Sequence, residues 1–275
     1  MQCFMGQNRR MGRAMITSTL NQKVKNVACL LKKAKERRMQ GVFLAEGLRL
    51  FEEMPRDRLA ATFVSETFLN REKHRQLLDG IAYEEVSDAV FKHMCDTQTP
   101  QGILSIVRRP VYEWADLMQG GRTHLLILEG IQDPGNLGTM FRAAEGAGVT
   151  GIIMDQGCVD LFAPKTVRST MGSICRMPYY RTENLAETLS ELKRQQVMLY
   201  AAHLNAEKYY DAFDYRGKTA FLIGSEGNGL TDETAGRADA YVKIPMGGKL
   251  ESLNAALAAG ILMYEADRQR RSAAG

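Results

Sequence analysis

From Leu125 onward the chain alternates short apolar runs with amphipathic stretches, and this alternation narrows the possible folds more than any other feature. Leu125–Leu128, Gly151–Met154, Val197–Ala201, Ala220–Ile223 and Ala240–Ile244 read as buried strands, with helical patterns between them. Leu253, Leu257, Ile261 and Tyr264 recur at helical spacing and predict one apolar face of a closing helix. Strands alternating with helices predict an α/β fold with a mostly parallel sheet covered on both faces. Upstream, Val27, Leu30, Leu31 and Ala34 keep helical spacing, while Val42–Ala45, Ala61–Val64 and Ile103–Val107 read as extended. The expected organisation is a tail over 1–16, a smaller α/β domain over 17–109, a linker over 110–122 ending at Gln119-Gly120-Gly121, and a larger domain over 123–275.

Charge divides along the same line. Residues 1–110 hold 19 Lys and Arg against 12 Asp and Glu, whereas 111–275 hold 17 against 20, so the net +4 comes from the first part. The densest stretch runs from Lys23 to Arg38, and its Lys32, Lys33, Lys35 and Arg37 are either a solvated helix face or a strip for a phosphate backbone. The 5 cysteines (Cys3, Cys29, Cys95, Cys158, Cys175) are widely spaced with no Cys-x-x-Cys pair, which argues against a disulfide framework and against a structural metal site. No apolar run approaches the roughly 20 residues of a membrane span. The opening MQCFMGQNRRMGRA lacks the apolar core of a secretory signal, so a cytoplasmic protein is expected.

Gly146-Ala-Gly-Val-Thr-Gly151 matches the dinucleotide spacing G-x-G-x-x-G, but it follows a helical pattern and leads into a strand, which reads as a helix stop. Three other segments say more. Leu128-Glu-Gly-Ile-Gln-Asp-Pro-Gly-Asn-Leu-Gly-Thr-Met-Phe-Arg142 is a strand running into a Pro/Gly turn, with Asn136 and Arg142 at the entry of a helix. Phe221-Leu-Ile-Gly-Ser-Glu-Gly-Asn-Gly-Leu230 is a strand emptying into a glycine-rich loop where a ligand could approach the backbone. Ile244-Pro-Met-Gly-Gly-Lys-Leu-Glu-Ser-Leu-Asn254 is again a strand, a glycine loop and a helix start. Parallel sheets bind ligands in loops of this kind, at the carboxyl ends of their strands. Singly, Asn136 or Ser252 could simply cap a helix.

Taken together and in this order, the three segments resemble the three motifs of the SpoU-type (TrmH-type) RNA 2′-O-ribose methyltransferases of the SPOUT superfamily, over about residues 123–271. The N-terminal part resembles the RNA substrate-binding domain often fused to them, through Phe43-Leu-Ala-Glu-Gly-Leu-Arg49 and Thr99-Pro-Gln-Gly-Ile-Leu104. The third motif departs mildly, since Ala255-Ala256 stand where the family commonly has Val-Ser; altered packing with intact chemistry is expected. The resemblance implies a SPOUT-type parallel sheet with a C-terminal trefoil knot, which general topology rules would disfavour. It also implies bound S-adenosylmethionine, with Gly224, Ile244 and Leu253 lining the cofactor, Met246 nearby, and a homodimer.

Methyl transfer needs the acceptor oxygen aligned with the methyl carbon. A ribose hydroxyl further needs a proton acceptor or a field that favours its alkoxide. The resemblance assigns that task to Arg142, with Asn136, Ser252 and Asn254 orienting groups through neutral hydrogen bonds and Glu226 either fixing its loop or touching substrate. A guanidinium is a poor base, so general-base action and electrostatic stabilisation both stay open. The expected activity is S-adenosylmethionine-dependent 2′-O-methylation of ribosomal RNA of the 23S type. The alternatives are a transfer-RNA ribose methyltransferase and a non-catalytic RNA-binding ribosome assembly factor.

Overall fold

Two sheets organise the computed structural model, which describes residues 14–274. The chain divides into two units, one of residues up to Pro110 together with Phe162–Cys175, the other of Val111–Leu161 with Arg176 onward.

The first unit runs α1 (Gln22–Lys32), α2 (Ala34–Gln40), β1 (Val42–Glu46), α3 (Leu48–Glu53), β2 (Leu59–Ser65), α4 (Glu66–Leu69), α5 (Glu72–Gln76), β3 (Glu84–Val86), α6 (Asp88–His93) and β4 (Ile103–Arg108). Its sheet has the order β1-β4-β2-β3, antiparallel except for the β2–β3 pair. Val24, Val27 and Leu30 of α1 pack with Leu44, Phe63 and Leu104 of the sheet. Of the expected tail, residues 1–13 lie outside the described residues. Ile16 does not behave as tail: it bridges Val86 and is buried in this core.

The helical spacing through the basic run resolves into two helices, because Lys33 is extended (φ −114°, ψ 107°). Arg37 accounts for the break. It is buried, and its guanidinium donates to the carbonyls of Leu30 (2.6 Å) and Leu31 (3.1 Å), which an unbroken helix would have spent on the next turn. The placement of Arg37 in a phosphate-binding strip is therefore corrected: its donors are engaged inside the fold. Lys32, Lys33 and Lys35 are exposed.

The second unit runs α7 (Trp114–Leu117), β5 (His124–Leu128), α8 (Pro134–Gly146), β6 (Gly151–Met154), then, after the excursion carrying α9 (Pro164–Thr170), β7 (Tyr179–Arg181), α10 (Leu185–Arg194), β8 (Met198–Ala202), β9 (Thr219–Ile223), α11 (Asp232–Ala235), β10 (Ala240–Val242) and α12 (Ala255–Ala274). Helix α9 packs on β1, which is why residues 162–175 group with the first unit. The sheet order is β10-β8-β9-β5-β6-β7, and every neighbouring pair is parallel. The expected parallel α/β sheet is thus observed. Helix α8 ends at Gly146, Gly148 takes φ +64°, and β6 starts at Gly151, so the G-x-G-x-x-G spacing is a helix stop.

Two expectations change. The stretch read as a linker carries α7, closed by a capping box between Glu113 and Asp116, and Leu117 is fully buried in the core beneath β6. A Cβ at Gly151 would overlap the Leu117 side chain. The closing helix begins at Ala255, not Leu253, and buries Ala256, Ala259, Leu262, Met263 and Ala266. Leu257 and Tyr264, read as part of one apolar face, are 59% and 49% exposed. No helix of the described residues is long and apolar enough to cross a membrane.

The Arg37 contacts generate a test. Arg37→Met should lower stability by about 2 kcal/mol, the scale of losing hydrogen bonds from a charged donor to buried carbonyls. Changing Lys32, Lys33 and Lys35 together to Gln should cost less than about 0.5 kcal/mol, as exposed substitutions do. Denaturant titration of both variants checks the contrast, and equal effects would remove Arg37 from this role.

Candidate active site

Because the sheet is parallel, the loops after β5, β9 and β10 emerge on one edge, and the three sequence segments occupy those loops. Residues 129–133 lead from β5 into α8. Asp133 caps that helix by accepting from the Asn136 amide N–H at 2.8 Å, and Pro134 takes the first helical position, where its missing N–H costs nothing. Asn136 is therefore not the cap. Its side chain is free to act across the loops, and its Nδ2 donates to Glu226 Oε1 at 2.9 Å.

Glu226 joins the first two segments. Besides Asn136 it accepts the backbone N–H groups of Gln132 (3.2 Å) and Asp133 (3.3 Å). Partial burial pushes its pKa up, but the hydrogen bonds from Asn136 and from the backbone of Glu226, Gln132 and Asp133 outweigh burial and leave it below the usual carboxylate range. A carboxyl held this way contributes order at neutral pH and loses it as the pH falls below the ordinary value of 4.5 and through the lowered one.

The third segment joins through Asn254. Its Nδ2 donates to Asn136 Oδ1 at 3.0 Å, while its Oδ1 accepts from Ala256 N (2.9 Å) and Leu257 N (3.3 Å), capping α12. The cap is Asn254 rather than Ser252, which is exposed. Asn254, Asn136 and Glu226 thus form one hydrogen-bonded chain across all three loops. Arg142 stands on α8 six residues beyond Asn136, about 9 Å further along the axis. It is a mid-helix residue rather than an entry residue. It is exposed, and its side chain makes no hydrogen bond or ion pair among the described residues.

Sequence reasoning missed Glu129. Its carboxylate accepts from Thr231 N (2.8 Å), Thr231 Oγ1 (2.9 Å) and Thr234 Oγ1 (2.5 Å), fastening the end of β5 to the start of α11. The signal was available, since a glutamate one residue past a buried strand is placed to bridge neighbouring loops.

At the fit of S-adenosylmethionine, the relevant stretch is 244–253. None of its peptide groups makes a backbone–backbone hydrogen bond among the described residues, although Ile244, Met246 and Leu253 are half-buried. Half-buried apolar side chains beside uncommitted amides and carbonyls suit a ligand with a flat heterocycle and polar edges, so the residues present fit the cofactor. Gly224 needs a different explanation from the expected one. A Cβ there would overlap the backbone of Gly229 and Leu230, where the 225–229 loop folds back through Ser225 N to Gly229 O (3.0 Å) and Gly229 N to Ser225 O (2.9 Å). The space a side chain would need is filled by the protein's own loop.

The two histidines of the second unit take no part in this site. His124 is buried at the amino end of β5, away from these loops, and burial, with the Arg270 charge adding to it, holds it neutral with a pKa lowered to about 3. His203 follows β8, but its Nδ1 accepts from Asn205 N at 3.2 Å and its ring stacks on Tyr241.

Residues 123–264 match the SpoU rRNA Methylase family, and residues 21–105 match the MRM3-like substrate binding domain. The chain belongs to the SpoU rRNA methylase family. It is 34% identical over 252 residues to the 23S rRNA (guanosine(2553)-2′-O)-methyltransferase RlmP of Bacillus subtilis, a match covering 90% of this chain and 97% of that one. Among solved structures, the AdoMet-bound rRNA methyltransferase of Sinorhizobium meliloti is 31% identical with a TM-score of 0.79, covering 93% of this chain and 97% of that one. The SpoU methyltransferase AviRb of Streptomyces viridochromogenes, also with AdoMet, is 25% identical with a TM-score of 0.82, covering 92% and 99%. Both halves of the molecule thus have counterparts in this SpoU family.

The overlap at Gly224 predicts that Gly224→Ala destabilises the protein even without cofactor, by about 1–3 kcal/mol, the cost of forcing extra volume into filled space. Thermal unfolding of the cofactor-free variant measures this. An unchanged midpoint, with cofactor affinity alone reduced, would assign the space to the ligand instead.

Proposed function

We propose that this chain is an S-adenosylmethionine-dependent RNA 2′-O-ribose methyltransferase acting on ribosomal RNA of the 23S type, in the cytoplasm. The observation that carries the reading is the Asn254–Asn136–Glu226 chain, which binds three loops into one surface beside the uncommitted 244–253 backbone. The near full-length match to a 23S rRNA guanosine 2′-O-methyltransferase supports the choice of RNA.

Ile244, Met246 and Leu253 would hold the cofactor through side chains and the 244–253 backbone through its polar groups, while Gly224 serves by letting its own loop fold back. When bound, the cofactor supplies an electrophilic methyl group on a sulfonium. The protein's part is mainly positional. Asn136 and Asn254, locked by Glu226, present fixed amides, and Ser252 offers an exposed hydroxyl for the ribose. Arg142, a cation with no ion-pair partner among the described residues, favours the alkoxide form of the 2′-hydroxyl by its field and can grip a neighbouring phosphate through its planar fork. On the first unit, exposed Lys32, Lys33 and Lys35 add attraction for the RNA backbone.

The trefoil knot belongs to the same proposal. The chain leaves β10 at one edge of the sheet and comes back to pack α12 on α8 and β9 near its centre, as a threaded return would require.

Mapping ribose methylation of ribosomal RNA by mass spectrometry, with and without the gene, tests the activity; an unchanged map would overturn it. Within the enzyme, Arg142→Lys should fold normally and bind S-adenosylmethionine as well as wild type, yet methylate at least about a hundredfold more slowly in single turnovers. Near-normal turnover would remove Arg142 from the catalytic set.

A homodimer completes the reading. Leu257 and Tyr264, seven residues apart on α12, share one face of the helix and are 59% and 49% exposed, which leaves that face open to a second copy. Light scattering should find a dimer, and Leu257→Lys should shift it to monomer. A wild-type monomer with full activity would sink the claim.

A further inference from the structure

The first unit contains a cavity of about 540 Å³ that the site above does not use. It opens between α4–α5, the start of α6 and the turn at 100–102. Its depth is set by Gly102, whose φ is +86° and whose missing Cβ would stand 2.7 Å from Ser65 Oγ and 2.8 Å from Phe68 Cβ. Only a glycine brings β4 that close to α4, so the turn before it rises as one wall.

The lining combines three chemistries. Phe68 and Phe91 are buried beneath it, and the half-buried His74 ring stacks on Phe68 with 4.3 Å between centroids. Arg71 and Lys92 stand exposed on its rim, and neither side chain makes a hydrogen bond or ion pair among the described residues. Asp88 is the carboxylate of the lining, and it is already engaged: it accepts from Thr67 Oγ1 at 2.6 Å and Thr67 N at 3.2 Å. Two uncommitted cations thus face one committed anion, over an aromatic floor.

The volume suits a group of nucleotide size rather than an ion. An aromatic stack accepts any base by its π face, and free cations beside it take the flanking phosphates. A duplex could use the cations but would keep its bases stacked inside the helix. We propose that this cavity receives one unpaired nucleotide of the substrate RNA, with the base against the His74–Phe68 stack and phosphates on Arg71 and Lys92. The proposal rests on the reading that the chain acts on RNA, and it adds a site on the first unit distinct from the exposed lysines of α1 and α2.

The test is equilibrium binding by the full chain of a single-stranded RNA oligonucleotide, the same sequence as a duplex, and uridine monophosphate, over a range of salt. The Arg71→Gln/Lys92→Gln double variant should bind the single strand at least about tenfold more weakly and lower its salt slope by about 1.4, as loss of two phosphate contacts predicts. His74→Ala should weaken it by about tenfold with the slope unchanged, the loss of a stacking platform. Lys73→Gln, an exposed charge on the same helix outside the cavity, should change binding less than about twofold. A double variant that binds like Lys73→Gln overturns the proposal, as does uridine monophosphate binding as tightly as the oligonucleotide. Methylation of ribosomal RNA by wild type is measured alongside. If it proceeds while the double variant binds normally, the cavity proposal alone falls. If wild type neither binds nor methylates RNA, both readings fall.

Discussion

Six strands running in one direction govern everything else in the larger unit. A parallel strand cannot be joined to its neighbour by a tight turn, so each connection must cross the sheet and return to the same starting edge. Carboxyl ends therefore collect on the opposite edge, and loops from distant parts of the sequence meet there without further design. Asn136 and Glu226, 90 residues apart, and Asn136 and Asn254, 118 apart, hydrogen-bond because of this geometry. The loops themselves are short of regular structure. Their shape is held by two carboxylates, Glu226 pulling on the turn before α8 and Glu129 on the turn before α11, so the 224–231 segment is fastened at both ends.

Much of this is legible in the sequence, and the exceptions have identifiable physical causes. Buried strands announced themselves because a run covered on both faces must be apolar throughout, as Leu125–Leu128 is. β3 and β7 did not, because they are short edge strands: β3 contains Glu84 and Glu85 beside one buried valine, and β7 ends on Arg181. The break between α1 and α2 depends on Arg37 reaching back to carbonyls six and seven residues earlier, a contact that local spacing does not encode. On α12, the large apolar residues mark one face of the helix, yet it is Ala256, Ala259 and Ala266 that turn inward with Leu262 and Met263. Small side chains let it lie close to α8 and β9, so size, not hydrophobicity, chose the face.

Within the site, residue identity was easier to read than role. Asn136, Glu226 and Asn254 stood out through the motifs, but which of them caps a helix and which bridges loops follows only from the fold. Gly224 shows the same limit. A glycine in a ligand-binding loop invites the thought that the ligand needs the room, whereas the backbone of Gly229 and Leu230 fills it.

The amide chain has a direction that none of its members could choose alone. An ionised carboxylate can only accept, so Glu226 obliges Asn136 to turn its NH2 toward it and its oxygen away. That oxygen in turn obliges Asn254 to present its own NH2, which leaves the second amide's oxygen aimed at the first free N–H groups of α12. The helix start, needing an acceptor, enforces the same orientation from the other end. Two flippable groups are thereby wired in series between a negative charge and a helix terminus, each end vetoing the reversed setting. Protonating Glu226 would lift only one of the two vetoes, and the N–H groups that open α12 would still hold both amides in the same setting, so the wiring survives the loss of its charge.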